Sequence, residues 1–379
     1  MPIIRLALFV LPLAIAPALA CGSEADEPGS ASPAGLTVPP AATGSPTPGA
    51  TPLATPETLP PPLTLDDVFP PRDLSQYRLD PSRIRTIIAT GDVIPARFTD
   101  VIIRQRGDDF LYPAEHVAEI TSRGDVTVTS LDTPIIDGCP YHAEGFVFCA
   151  RPGIMAALEA LGVDVAAMET NHVRDYGAAG YQETIGRLEA SGIRWADRNN
   201  PVTIDVRGMK FGFLAYNGVG ETFDRQKIVA QVRELRPRVD VLAVSMQWGA
   251  EYVHVPAAAP GVAPDDPMEM ARLLADEGAD LIIGNHPHWI QGVEIINGTF
   301  VTYAHGNFIY DQMWSYETRA GIIGKYTFYD GQLIGVEFIP TVIHDYAQPI
   351  PAQGEERQAI LDTLHRASRE IAERAALYR

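Results

Sequence analysis

The chain has 379 residues, with 29 Lys or Arg against 48 Asp or Glu, a formal net charge of −19. That balance argues against a binder of nucleic acid, which needs clustered Lys and Arg, and against electrostatic docking on an anionic leaflet. Hydrophobic residues at 46% suffice for a packed core, and the length allows one large domain or two smaller ones.

Residues 1–20 read as a signal peptide. Arg5 is the only charge before an apolar run from Leu6 to Ala20, and Pro12 and Pro17 break that run. It is too short and too interrupted to span a bilayer as a stable helix. Two cleavage readings compete. Ala18-Leu19-Ala20 fits the A-x-A rule of ordinary secretion, whereas Cys21 directly after it resembles a bacterial lipobox, with Cys21 lipidated as the mature N-terminus. Residues 21–80 are rich in Pro, Ala and Thr, as in Pro60-Pro61-Pro62. Such a composition predicts a disordered tether, which suits a domain held away from a membrane. Cys139 and Cys149 then remain, ten residues apart. Export allows them to form a disulfide; two free thiols is the alternative.

Residues 81–345 read as one α/β domain, followed by a C-terminal helix within 346–379. Strand-length apolar runs occur at Thr86–Ala89, Val126–Thr129, Val163–Ala167, Val239–Val244 and Asp280–Ile283. Helical patterns lie at Pro152–Leu161, Ala178–Ala190 and Pro267–Glu277. This alternation predicts a mixed or parallel buried sheet. Further strands are expected at Val293–Ile296, Thr299–Tyr303, Ile322–Phe328 and Leu333–Phe338, with hairpin turns at Asn297-Gly298 and Asp330-Gly331.

Polar groups recur where these strands end: Asp92, Asp132, Asn171 with His172 and Asp175, Gln247 with Glu251, His286 and His288, and His305 with Asn307. Open α/β sheets bind ligands outside the carboxyl ends of their strands. One polar residue after a strand is usually a cap or turn, but several carrying Asp, Asn and His together point to a metal site. Asp offers hard oxygen and can bridge two ions; neutral His offers nitrogen suited to Zn, Mn, Fe or Ni. For Trp248 a buried core or pocket-wall position is expected. Glu251 reads either as a carboxylate orienting a His ligand or as a solvated charge. Arg97 reads either as a clamp on an anionic substrate or as a surface ion pair.

Six motifs in order resemble the bacterial capsule-synthesis CapA family, also described as the poly-γ-glutamate capsule family, which is similar to calcineurin-like metallophosphoesterases. They are Gly91-Asp92-Val93 with Arg97, Ser130-Leu131-Asp132-Thr133-Pro134, Thr170-Asn171-His172-Val173-Arg174-Asp175-Tyr176-Gly177, Gln247-Trp248-Gly249-Ala250-Glu251-Tyr252, Gly278-Ala279-Asp280 with Gly284-Asn285-His286-Pro287-His288, and His305-Gly306-Asn307-Phe308. The resemblance spans about residues 85–311. It implies a calcineurin-like αββα sandwich of mixed sheets flanked by helices, and one or two divalent metal ions. By the resemblance Asp92 and His288 would bind the first metal, Asn171 and His286 the second, and Asp132 would bridge them. His172 would face the substrate phosphoryl group as general acid or charge stabiliser. Gln247 stands where the family has a His ligand, Asp132 where it has Glu, and Thr170 where it has Asn; these departures weaken the second metal position.

The function implied is metal-dependent hydrolysis of a cell-envelope or capsule substrate, a polymer or a small anionic molecule. The alternative is a non-enzymatic capsule-assembly or polymer-binding factor with a degraded metal site, working with other assembly proteins. The expected place is outside the cytoplasmic membrane, lipid-anchored or secreted, without nucleic acid as a partner.

Overall fold

The computed structural model describes residues 57–376. The expected signal peptide, Cys21 and most of the expected tether lie outside the described residues. Within them the chain builds fourteen strands: β1 (Ile84–Val93), β2 (Val126–Leu131), β3 (Val165–Ala167), β4 (Arg194–Ala196), β5 (Val202–Val206), β6 (Met209–Asn217), β7 (Val241–Gln247), β8 (Leu281–Asn285), β9 (Ile290–Ile296), β10 (Thr299–His305), β11 (Asn307–Ile309), β12 (Ala320–Tyr329), β13 (Gln332–His344) and β14 (Gln348–Pro351). Seven helices join them: α1 (Phe98–Gln105), α2 (Ala118–Thr121), α3 (Met155–Ala160), α4 (Gly177–Ala190), α5 (Arg225–Leu235), α6 (Pro267–Asp276) and α7 (Gly354–Ala376).

The strands form two sheets, in the orders β14-β13-β12-β1-β2-β3-β4 and β5-β6-β7-β8-β10-β9. In the first, β1 to β4 run parallel and β12 pairs antiparallel with β1. In the second, β6, β7, β8 and β10 run parallel between antiparallel edges. Alternation along each strand decides the layering. Ile87 and Ala89 of β1 share one core with Phe211 and Phe213 of β6 and Leu281 and Ile283 of β8. Ile88 faces the other way, into a core with Leu158, Ile185 and Leu188 of α3 and α4. Leu242 and Val244 of β7 turn outward onto Val232 of α5, Leu274 of α6 and Ile371 of α7. The result is a mixed α/β fold of two facing sheets with helices on both outer surfaces.

Local signals set the element ends. Asp266 caps α6 by accepting from the Met268 N–H at 2.7 Å, and Pro267 occupies its first turn. Both expected hairpin turns form, with Asn297 and Asp330 at φ 52° and 48°. At the end of β10 the chain leaves the second sheet and enters the first. Asp92 donates its N–H to the Gly306 carbonyl at 3.0 Å, and Asp92 pairs in register with Asn307 of β11. A Cβ on Gly91 would sit 1.9 Å from the Gly306 oxygen, so only glycine permits this crossing.

Two expectations need correction. The tether does not extend to residue 80, because residues 57–80 lie against the sandwich. Val68 is 2% exposed within the inter-sheet core, and Leu63, Leu65 and Phe69 pack against it. Arg72 pairs with Asp67 at 2.7 Å and donates to the Ile334 carbonyl at 3.2 Å. Four apolar side chains among the prolines are enough to anchor this stretch. The C-terminal part is also more than a helix. It adds β14 to the first sheet, and α7 lies on β9, where Ser368 Oγ accepts from the Val293 N–H at 2.8 Å. Among the described residues no helix is long and apolar enough to cross a membrane.

Candidate metal centre

Both sheets contribute to one cluster at the carboxyl ends of their central strands. Asp92 ends β1 fully buried, accepting from Ser130 Oγ at 3.3 Å and from the His286 N–H at 3.2 Å. Its Oδ2 lies 3.6 Å from His288 Nδ1. Asp132 follows β2, also fully buried, and accepts from the His172 N–H at 2.9 Å. Burial and the neighbouring Asp132 charge push the Asp92 carboxyl well above its usual range. Burial pushes Asp132 up to about 6.

The His286-Pro287-His288 turn is strained. His286 has φ 94° and His288 φ 60°, conformations that cost about 1–3 kcal/mol each and gather at functional sites. His288 Nδ1 bonds Asn307 Oδ1 at 2.9 Å, and Asn307 is itself held by donating to the Thr318 carbonyl at 2.9 Å. An imidazole that donates through Nδ1 presents its Nε2 lone pair to a ligand. Burial drives His286 well below its ordinary pKa and His288 down to about 4, so both rings are neutral.

The donor set fits a divalent ion. Buried polar atoms normally find partners, yet Asp132 Oδ2, Asn171 Oδ1, Gln247 Oε1 and both ring nitrogens of His286 are buried without a hydrogen-bond partner. Ligating atoms of Glu251, His286 and His288 all fall within 4.8 Å of one another. Cys139, His142 and Cys149 also gather, but the two sulfurs are joined in a disulfide, with Cα atoms 5.8 Å apart.

His172 stands at the edge of the cluster. Its Nδ1 bonds Asp175 Oδ2 at 2.9 Å, and that carboxylate oxygen also accepts from the Phe148 N–H at 2.7 Å. Burial would lower the His172 pKa, but the Asp175 bond and the Asp132 charge outweigh it and hold it above the usual value. Arg97 is neither a free clamp nor a surface pair. Its guanidinium forks onto Asp311, which is 7% exposed, and lies 5.0 Å over the Phe148 ring and 5.2 Å over Tyr310. Trp248 is fully buried, donating Nε1–H to the Tyr303 carbonyl at 2.8 Å. The roles of Ser130, the Phe148 amide and Asp311 are not visible in sequence. The Asp311–Arg97 pair joins residues 214 positions apart, and no local pattern announces it.

Residues 86–312 match the family described as "Bacterial capsule synthesis protein PGA_cap". The chain is 25% identical over 286 residues to "PGA biosynthesis protein CapA" of Bacillus subtilis, covering 69% of this chain and 72% of that protein. It is 23% identical over 288 residues to "Capsule biosynthesis protein CapA" of Bacillus anthracis, covering 69% and 68%. A solved structure of a hypothetical protein from Thermus thermophilus overlaps 67% of this chain and 98% of its own, at a TM-score of 0.45 and 15% identity, too distant to carry an argument. The family match spans more than half of the chain and takes in every residue of the cluster: the protein belongs to the bacterial capsule synthesis PGA_cap family.

Proposed function

We propose that the protein is an exported envelope protein of capsule biosynthesis whose calcineurin-like centre hydrolyses a phosphoester of an envelope substrate. The observation that carries this reading is the set of unpartnered, buried ligand atoms from both sheets: Asp132 Oδ2, Asn171 Oδ1 and the His286 nitrogens, beside Asp92 and His288. Asp92, Asp132, Asn171, His286 and His288 would hold one or two divalent ions. When bound, such ions supply Lewis-acid polarisation of a phosphoryl oxygen. In the hydrolysis a water attacks phosphorus as the bond to the departing oxygen breaks, and the protein's own part is to deliver the proton that this oxygen needs. His172, whose pKa the Asp175 bond and the Asp132 charge raise against the effect of burial, gives a proton to the departing oxygen. Phe148 and Tyr310 shield the Arg97–Asp311 pair beside it. Lipidation at Cys21, export, and contact with a capsule polymer or assembly proteins belong to the same proposal. A polyanion such as poly-γ-glutamate meets a chain of charge −19, so its approach needs bridging cations.

Gln247, where the family has His, favours a second reading as an assembly factor without turnover. Hydrolysis of a generic phosphodiester by the full chain, with added Mn or Zn, decides between the two. Turnover that requires the ion and disappears in His172→Ala supports the hydrolase. Absence of turnover with any divalent ion overturns it.

A further inference from the structure

Gln247 removes an imidazole from the centre, and the loop it opens brings another ligand type to the same place. Gly249, at φ 79°, turns the chain back after β7; a Cβ there would meet Pro267 Cγ at 2.9 Å. Ala250 then donates its N–H to the Ala257 carbonyl at 2.8 Å, and Tyr252 donates its own to the Pro287 carbonyl at 3.0 Å. Tyr252 is held at φ 59°, a strained conformation for a bulky residue. The first bond closes the loop on itself, the second fastens it to the His-Pro-His turn, and Glu251 between them faces that turn. Glu251 Oε1 lies 3.8 Å from His286 Nε2. That distance is too long for a hydrogen bond. Two ligands each about 2.1 Å from one ion lie up to about 4.2 Å apart, so it suits two atoms sharing a cation. His288 adds a third ligating atom within the same 4.8 Å span.

We infer that Glu251 is itself a metal ligand, and that it shares one divalent ion with both His286 and His288, where the resemblance divides these two histidines between two ions. A carboxylate for an imidazole hardens the donor set and moves its preference from Zn towards Mn or Fe(II). The inference rests on the metal-centre half of the proposed function but not on catalysis, so it is tested by binding.

The experiment is metal stoichiometry and affinity of the purified full-length protein, by elemental analysis after dialysis and by titration with Mn and with Zn. Glu251→Gln, nearly isosteric, should lose one equivalent of Mn or bind it at least about tenfold more weakly, since even an outer-shell partner of a metal ligand is worth about 10–100-fold. Gln247→His in the Glu251→Gln background should restore the equivalent and shift preference towards Zn. Matching thermal melts of the metal-free proteins guard against misfolding. Glu251→Gln binding Mn as well as wild type overturns the inference, as does a wild type that binds no divalent ion. A wild type that binds through Glu251 yet hydrolyses nothing leaves the inference standing and removes only the hydrolase reading.

Discussion

Phe148 donates its backbone N–H to Asp175 Oδ2 at 2.7 Å, and its ring lies 4.4 Å from that of His172, the residue Asp175 holds. Phe148 precedes Cys149, so the disulfide to Cys139 closes the loop that delivers this amide. Closing a loop of this size constrains the unfolded chain by about 2–3 kcal/mol. Cys139→Ser should therefore lower stability by that order, while metal stoichiometry stays unchanged because none of the proposed metal ligands lies in the loop. Chemical denaturation beside elemental analysis checks both halves, and alkylation of the unreduced protein should find neither thiol free.

His172→Ala is expected to retain metal and lose turnover by about 10²–10⁴-fold, the usual worth of a positioned general acid. Asp175→Asn should retain metal too but lower the rate less, since His172 stays in place without its partner. A His172→Ala protein with full activity would remove His172 from the reaction.

Asp311→Ala is expected to destabilise the fold by about 3–5 kcal/mol, because it strands the mostly buried Arg97 guanidinium and leaves the Phe98 N–H, 2.9 Å from Asp311 Oδ2, without its acceptor. The double change Asp311→Ala with Arg97→Met should recover part of that loss. Urea unfolding of wild type and the two variants measures it.

His305 is fully buried, with Nδ1 against the Gly284 carbonyl at 3.1 Å and Nε2 against Tyr326 Oη at 2.9 Å. Burial lowers its pKa to about 4. Its unfolded value of about 6.5 is higher, so the unfolded chain binds the extra proton between those two values. Stability should fall as pH drops from about 6.5 to about 4 and then level off, by on the order of 3 kcal/mol from this group. The difference between wild type and His305→Gln, measured by denaturation across that window, isolates it from His286 and His288. A pH-independent difference would contradict this account.

A chain that starts at residue 81 should be less stable than one that starts at 57, by about 2 kcal/mol or more. It exposes the core around Val68, whose side chain alone is worth about 1.5–3 kcal/mol when buried. Thermal melts of the two chains settle the point.

The inter-sheet core and the ends of β1, β2, β7 and β8 were legible because strand-length apolar runs give way there to Asp, Gln and Asn. So was the His-Pro-His turn, whose composition has few other uses. Residues 57–80 read as tether because their five prolines continue the Pro-, Ala- and Thr-rich stretch before them, while Leu63, Leu65, Val68 and Phe69, which do the anchoring, form no periodic run. The position of Glu251 was not legible either. It depends on Gly249 and Tyr252 both taking positive φ, and a tyrosine gives no sign of that in sequence. Arg97 with Asp311, and Phe148 with Asp175, are tertiary pairs that only the closed fold creates.

Asp92, Asp132 and Asn171 come from the first sheet, whereas Gln247, His286 and His288 come from the second, so the centre spans the seam between them. A divalent ion held there would act as a cross-brace on the sandwich. Because it binds only when both sheets are in register, it raises the free energy of separating them by an amount that grows with ion concentration. A chelator should then loosen the whole fold as well as empty a pocket, and a melt followed against free metal becomes a measure of how firmly the two halves of the molecule are closed.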